Sequence, residues 1–208
     1  MRDRRVVNSS RAEVVNFWRA SGALDAKDRY TRNHSRRVTD CSLAIAARLG
    51  FSEQDRRDLE LAGLLHDIGK IGVPEAVLHK PSRLSDEEFA HIRAHPERGE
   101  AILKPIAELR QVGRMVRAHH ERYDGNGYPD RLAKIDIPLG ARIMAVCDTY
   151  DAMTSDRPYR NGLPHNAAVK EILKNSGSQF DPEIVDHFLA LADNFRAMME
   201  ADRTSSVA

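Results

Sequence analysis

His66 and Asp67 close a run of apolar residues, Leu59-Glu60-Leu61-Ala62-Gly63-Leu64-Leu65-His66-Asp67-Ile68-Gly69-Lys70, and they are the natural place to look for chemistry. Leu61, Leu64, Leu65 and Ile68 recur at spacings of three and four, the pattern of a buried helical stripe. Gly69 is placed where a helix ends on a glycine cap. An imidazole and a carboxylate leaving the last turn of such a helix are costly to bury without a partner. Adjacent residues are about 100° apart around a helix axis, so the pair does not readily chelate one ion from one side. Each can reach a different ion, or the carboxylate can bridge two. Taken alone, the dipeptide favours the simpler reading, a buried His–Asp hydrogen bond.

The rest of the chain changes that balance. His34, His95, His119, His120 and Asp148 also fall at helix ends or on inward faces, so that seven His and Asp residues from five separate segments are candidates for one centre. Mixed imidazole and carboxylate donors suit borderline divalent ions such as iron, manganese or zinc. A Cys-x-x-Cys pair is absent, which argues against a structural zinc site. A Gly-rich phosphate loop is absent as well. Two ions roughly 3.5–4 Å apart would activate a water at neutral pH and stabilise charge developing on phosphorus, the chemistry of phosphodiester cleavage. His79, His91, His165 and His187 belong to no such pattern and read as surface or supporting residues. Asp151, one turn beyond Asp148, reads as a hydrogen-bond partner to a ligand rather than a ligand.

Helices must position these residues. A short amphipathic helix is expected from about Ser10 to Ala20, and a long one from about Asp25 to Leu49, stopped by Gly50. Val38, Cys41, Ile45 and Leu49 form the inward stripe of the second, with His34 in line. Ser52 is the expected N-cap of the helix running into His66 and Asp67, and Ser85 caps a later one. His95-Pro96 breaks and restarts a helix, because the residue before proline resists the α region. A further helix ends at His119-His120. Asp124-Gly125-Asn126-Gly127-Tyr128-Pro129 is an ordered loop whose glycines serve tight turns. Pro138 opens the helix carrying Asp148, and two more helices are expected at about Pro164–Lys174 and Pro182–Met199. No strand pattern or repeat is evident. The expected fold is all-α, a single bundle of about eight to ten helices.

Composition limits the function classes. The 208 residues are 41% hydrophobic and 30% charged, suited to one ordinary domain. A net charge of +1 supplies no general basic field, so DNA or RNA is not an expected partner. No apolar run approaches a membrane span, and no secretory leader is evident, so a cytoplasmic location is expected. The two cysteines, Cys41 and Cys147, lie in apolar stripes and read as reduced core residues.

The ordered set His34-x-x-Arg37-Val38, His66-Asp67-x-Gly69-Lys70, His95-Pro96, His119-His120-Glu121, Asp124-Gly125-x-Gly127-Tyr128-Pro129 and Asp148-x-x-Asp151-Ala152 resembles the HD-GYP family, a branch of the bacterial HD-domain phosphohydrolases, over roughly residues 25 to 195. The resemblance divides the chain into an N-terminal helix or linker (1–22), the HD-GYP domain (23–199) and a flexible tail (200–208). It implies hydrolysis of cyclic di-GMP to linear pGpG, in some members onward to GMP. It assigns His34, His66, Asp67, His95, His119, His120 and Asp148 as metal ligands, with Asp67 bridging. His66, Asp67 and Lys70 are the implied catalytic residues, Lys70 touching the scissile phosphate. Arg157, Arg160 and Tyr128 are the implied substrate contacts, and the arginine forks suit phosphate. The reading of Tyr128-Pro129 as a loop stiffener stays open beside this. The implied cofactor is a pair of divalent ions, iron or manganese first, with zinc, nickel, cobalt or magnesium as alternatives. Some members have a glutamate four residues before the first histidine that supports a third ion. Here that position is Tyr30, so two are expected. Implied partners are the substrate and, through the Gly127-Tyr128-Pro129 loop, a diguanylate cyclase (GGDEF) domain, with a homodimer left open. The alternatives are a cyclic di-GMP receptor that has lost turnover and an HD phosphohydrolase of another nucleotide.

Overall fold

A computed structural model describes residues 31–156 and 161–205. The expected Ser10–Ala20 helix, Tyr30, Arg157 and Arg160 lie outside the described residues. The long helix is seen from Thr31 to Arg48 (α1), and its stop is as expected: Gly50 adopts φ +71°, a left-handed conformation that costs glycine little. Ser52 caps α2 (Glu53–Leu65), its hydroxyl accepting from the Asp55 amide at 3.1 Å. Two short helices, α3 (Glu75–Leu78) and α4 (Asp86–Arg93), bury no residue fully and form a surface excursion between Lys70 and His95. Ser85 and Glu88 make a reciprocal capping box at the start of α4. Then follow α5 (His95–Leu103), α6 (Arg110–Ala118), α7 (Leu139–Thr154) and α8 (His165–Lys174). Asp181 caps α9 (Pro182–Leu189), with Pro182 in its first turn, and α10 spans Ala192–Ser205. Among the described residues there is no strand, only an isolated bridge between Ser176 and Phe180.

Two expectations are corrected. The helix before the His–Asp pair ends at Leu65, and Ile68–Gly72 form a 3-10 turn instead of its last turn. Gly69 is therefore no helix cap. It is required for packing: a Cβ built there would lie 1.9 Å from the His95 carbonyl oxygen and 2.6 Å from the Gly99 amide, so the turn lies directly on the α5 backbone. The single helix expected over Pro182–Met199 is two, broken at Ala190 and Leu191, and the second continues through Ser205. Phe188 and Phe195 both remain buried, with ring centroids 5.5 Å apart across the break.

The core explains why these helices hold the site still. α1 packs against α2 and α7, while α5 packs against the 3-10 turn and α6. Val38, Ile45, Leu59, Val116, Ile143, Val146 and Tyr150 are among the residues at or near zero exposure in one continuous cluster. Burial of each large side chain contributes about 1.5–3 kcal/mol, so the helix ends bearing the polar residues are anchored by their own apolar faces. Cys41 and Cys147 are free and buried in this cluster, and burial pushes the Cys147 thiol up to about 12.

Candidate metal centre

The helix-terminal histidines share one local device. The Nδ1 of His66 lies 2.8 Å from the Gly63 carbonyl, that of His95 2.7 Å from the Ile92 carbonyl, and that of His119 2.6 Å from the Val116 carbonyl. Each partner is three residues back, at the end of α2, α4 or α6, where carbonyls have no helical donor. A carbonyl only accepts, so each Nδ1 carries the proton and donates it. In the neutral ring that leaves the Nε2 lone pair bare. His34 reaches the same state by another route, its Nδ1 lying 2.7 Å from Asp151 Oδ2. Asp151 in turn accepts from the Arg37 guanidinium and from the Ser155 hydroxyl.

The bare nitrogens converge. His34 Nε2 and His66 Nε2 are 3.3 Å apart, and His95 Nε2 and His119 Nε2 are 3.2 Å apart. Two lone pairs at that distance repel unless something positive lies between them. The donors fall into two groups, His34–His66–Asp67 and His95–His119–His120, in each of which the ligand atoms lie within 4.8 Å of one another. Asp67 faces both: Oδ2 is 3.5 Å from His66 Nε2 and 4.0 Å from His34 Nε2, while Oδ1 is 3.3 Å from His95 Nε2. Asp148 Oδ1 lies 3.3 Å from His34 Nε2, and Lys70 Nζ lies 2.7 Å from Asp67 Oδ2. The seven expected ligands and Lys70 are thus brought together. His34, His66, Asp67, His95 and His119 are almost fully buried.

Electrostatics fits a cation. Burial opposes charge on Asp67, yet the Lys70 ammonium beside it holds its carboxyl well below the usual range, so it is ionised. Burial holds His66 down and His119 well down, and pushes His120 to about 3, so these rings are neutral and available as donors at neutral pH. Burial also acts against His34, but Asp151, Asp148 and Asp67 outweigh it and raise its pKa, reporting the same negative field a cation would meet. The C-terminal ends of α2, α4 and α6 add negative dipole ends, with the N-terminus of α5 opposing. Imidazole and carboxylate donors with fixed tautomers are a donor set suited to divalent metal ions.

Tyr128 stacks on His120, with centroids 5.0 Å apart and planes 29° apart, and the Arg93 guanidinium lies over the Tyr128 ring at 4.9 Å. The loop carrying Tyr128 is pinned by Glu121, named in the motif but given no role there, and by Arg117, which the sequence did not single out. Buried Glu121 accepts from the Asp130 amide at 2.6 Å, and burial pushes its carboxyl up. Arg117 grips Asp130 bidentately, at 2.6 and 2.8 Å, and Glu100 at 3.0 Å. A Cβ at Gly127 would lie 2.3 Å from the Arg122 amide, so the loop folds back on its own start. Glu121 directly follows His119-His120, and that adjacency was the one available signal. His165 instead bonds the Tyr150 hydroxyl at 2.9 Å, a supporting role as expected.

A helical bundle that gathers this His/Asp set defines a metal-site protein of the HD type. The HD domain family profile matches residues 21–184, and the chain belongs to that family and to its HD-GYP branch. The chain is 44% identical over 170 residues to the cyclic di-GMP phosphodiesterase PA4108 of Pseudomonas aeruginosa, covering 80% of this chain and 40% of that protein. It is 42% identical to a cyclic di-GMP phosphodiesterase of Thermotoga maritima (79% and 45% covered). It is 41% identical to the 3'3'-cGAMP-specific phosphodiesterase 3 of Vibrio cholerae (77% and 35% covered). The chain thus spans less than half the length of these relatives. In fold it resembles the HD domain of the Listeria monocytogenes phosphodiesterase PgpH solved with cyclic-di-AMP, at TM-score 0.61 and 17% identity, covering 88% of this chain and 95% of that one. Among the described residues no helix is long and apolar enough to cross a membrane.

Proposed function

We propose that this domain hydrolyses cyclic di-GMP to linear pGpG, holding two divalent cations between the two donor groups. The observation that carries the proposal is Asp67: its two oxygens face different imidazole groups, the placement a shared carboxylate needs. Two cations there, iron or manganese by donor type, would lower the pKa of water and screen phosphate charge. The chain's own residues do the rest. His34, His66, His95, His119 and His120 offer imidazole nitrogens, and Asp67 and Asp148 offset the positive charge. Lys70, anchored on Asp67 at the rim, presents its ammonium to the scissile phosphate. Arg157 and Arg160, outside the described residues, are assigned to the substrate phosphates from their match to the family pattern. The relatives named for cyclic di-GMP support that substrate, and the complete donor set argues against a receptor without turnover. A diguanylate cyclase partner at the Tyr128 loop and a cytoplasmic setting belong to the same proposal.

The test is incubation of metal-loaded protein with cyclic di-GMP and chromatography of the products. Wild type is expected to yield pGpG, and Asp67→Ala none. Absence of linear product from wild type, or an Asp67→Ala variant as active as wild type, sinks the proposal. A relative named for 3'3'-cGAMP makes that hybrid dinucleotide the second substrate to run in parallel.

A further inference from the structure

Arg93 closes α4, two residues before His95, at the edge of the metal centre. Its side chain is exposed, and its guanidinium lies over Tyr128, whose ring stacks on His120. Among the described residues it makes no hydrogen bond or ion pair. The contrast with other arginines is informative. Arg117, Arg142, Arg122 and Arg37 each grip a carboxylate. Arg93 is instead seated on an aromatic face, and among the described residues no acceptor meets its N–H groups. A cation seated at the rim with no partner among the described residues is suited to an anion that arrives from outside. Helices α3 and α4 of the excursion that carries it bury no residue fully; the Lys80–Glu88 pair braces the excursion internally, and Arg98 reaches the Gly72 and His91 carbonyls near its ends.

We infer that Arg93, braced on Tyr128, binds the second phosphate of the cyclic dinucleotide, the one not undergoing cleavage. This rests on the phosphodiesterase reading and extends it. A ring with two phosphates cannot place both on the same cations, so the distal one calls for a donor at the rim, and Arg93 supplies one in addition to Arg157 and Arg160, which are assigned above to the substrate phosphates. Lys70, held on Asp67, serves the scissile phosphate, whereas Arg93 lies one stacked ring beyond His120. Phosphate recognition is indifferent to the base, so Arg93 serves affinity for any cyclic dinucleotide, not the choice of guanine over adenine.

The test compares wild type, Arg93→Ala and Arg93→Lys on cyclic di-GMP, 3'3'-cGAMP and linear pGpG, with bound metal measured in each protein. Loss of a charged hydrogen-bonding partner is expected to raise KM for both cyclic substrates about 10- to 100-fold in Arg93→Ala, with kcat within a few-fold and metal content unchanged. Arg93→Lys restores part of the loss, because it keeps charge without the fork. An unchanged KM in Arg93→Ala overturns the inference. So does a loss confined to the substrate with two guanines, which would make Arg93 a base reader. A drop in metal content would assign it instead to bracing His120 through Tyr128. If wild type cleaves no cyclic dinucleotide, the functional reading itself has failed, a result distinct from active wild type with a silent Arg93→Ala.

Discussion

Asp151→Asn separates the two halves of the metal centre. Asp151 meets the His34 side of the site, through the 2.7 Å contact to His34 Nδ1, and is 2% exposed. Asparagine keeps the shape and an acceptor oxygen but removes the charge that makes His34 a stronger donor and that Arg37 neutralises. Losing such a partner behind a metal-binding histidine lowers affinity about 10- to 100-fold, or about 1.4–2.8 kcal/mol. The cost in fold is separable: weakening the buried Arg37 contacts costs about 2 kcal/mol, a fall in Tm of about 4–8 °C for a domain of this size. Titration of the metal-free protein with Mn²⁺, followed by calorimetry, reads the first quantity, and thermal unfolding reads the second. One binding step should weaken and the other, at His95, His119 and His120, should stay within about threefold. Equal weakening of both steps, or of neither, would refute the reading that Asp151 acts on one ion only, through His34.

The glycines give a contrasting pair. Gly69→Ala drives a Cβ into the α5 backbone and should cost about 3 kcal/mol or more, read as a large fall in urea midpoint. Gly113→Ala, in the interior of α6 with nothing nearer than 3.5 Å, should stabilise by about 0.5–1 kcal/mol, and a loss there would contradict the packing described. The metal-free protein should also weaken on acidification. His120, held near 3 when folded, takes up a proton only on unfolding between that value and its ordinary 6.5, so stability is present above pH 6.5 and drains as pH falls below it. From pH 7.5 to 5.5 this amounts to about 1.4 kcal/mol for His120. His119 and His66 add in the same direction, whereas His34, whose pKa is raised, offsets part. A flat profile of urea midpoint over that range would rule this out.

Local rules were legible where local chemistry decides. Gly50, Ser52, Ser85 with Glu88, and Asp181-Pro182 mark the helix ends they were expected to mark, because caps and turns depend on neighbours in sequence. Gly69 misled for the same reason: a glycine near a helix end reads as a cap, but its cause is the His95 carbonyl, a contact made only once α5 has packed. The break at Ala190–Leu191 carries neither glycine nor proline, and the fold of Phe188 against Phe195 decides it. At the site, the spacing of His34, His66, Asp67, His95, His119, His120 and Asp148 foretold that they share a centre. Spacing was silent on Glu121 and Arg117, whose partners are backbone amides and carboxylates in a loop, and on Arg93, whose partner is an aromatic face.

Three imidazoles in this domain take their bearing from a peptide carbonyl one turn behind them, not from a dedicated side chain. Aim is therefore a property of where a helix stops, and it survives any replacement that leaves the stop in place. A designer wishing to graft the centre onto another bundle would need to copy a few terminations and the carboxylates between them, and could leave the surrounding wall to be rewritten.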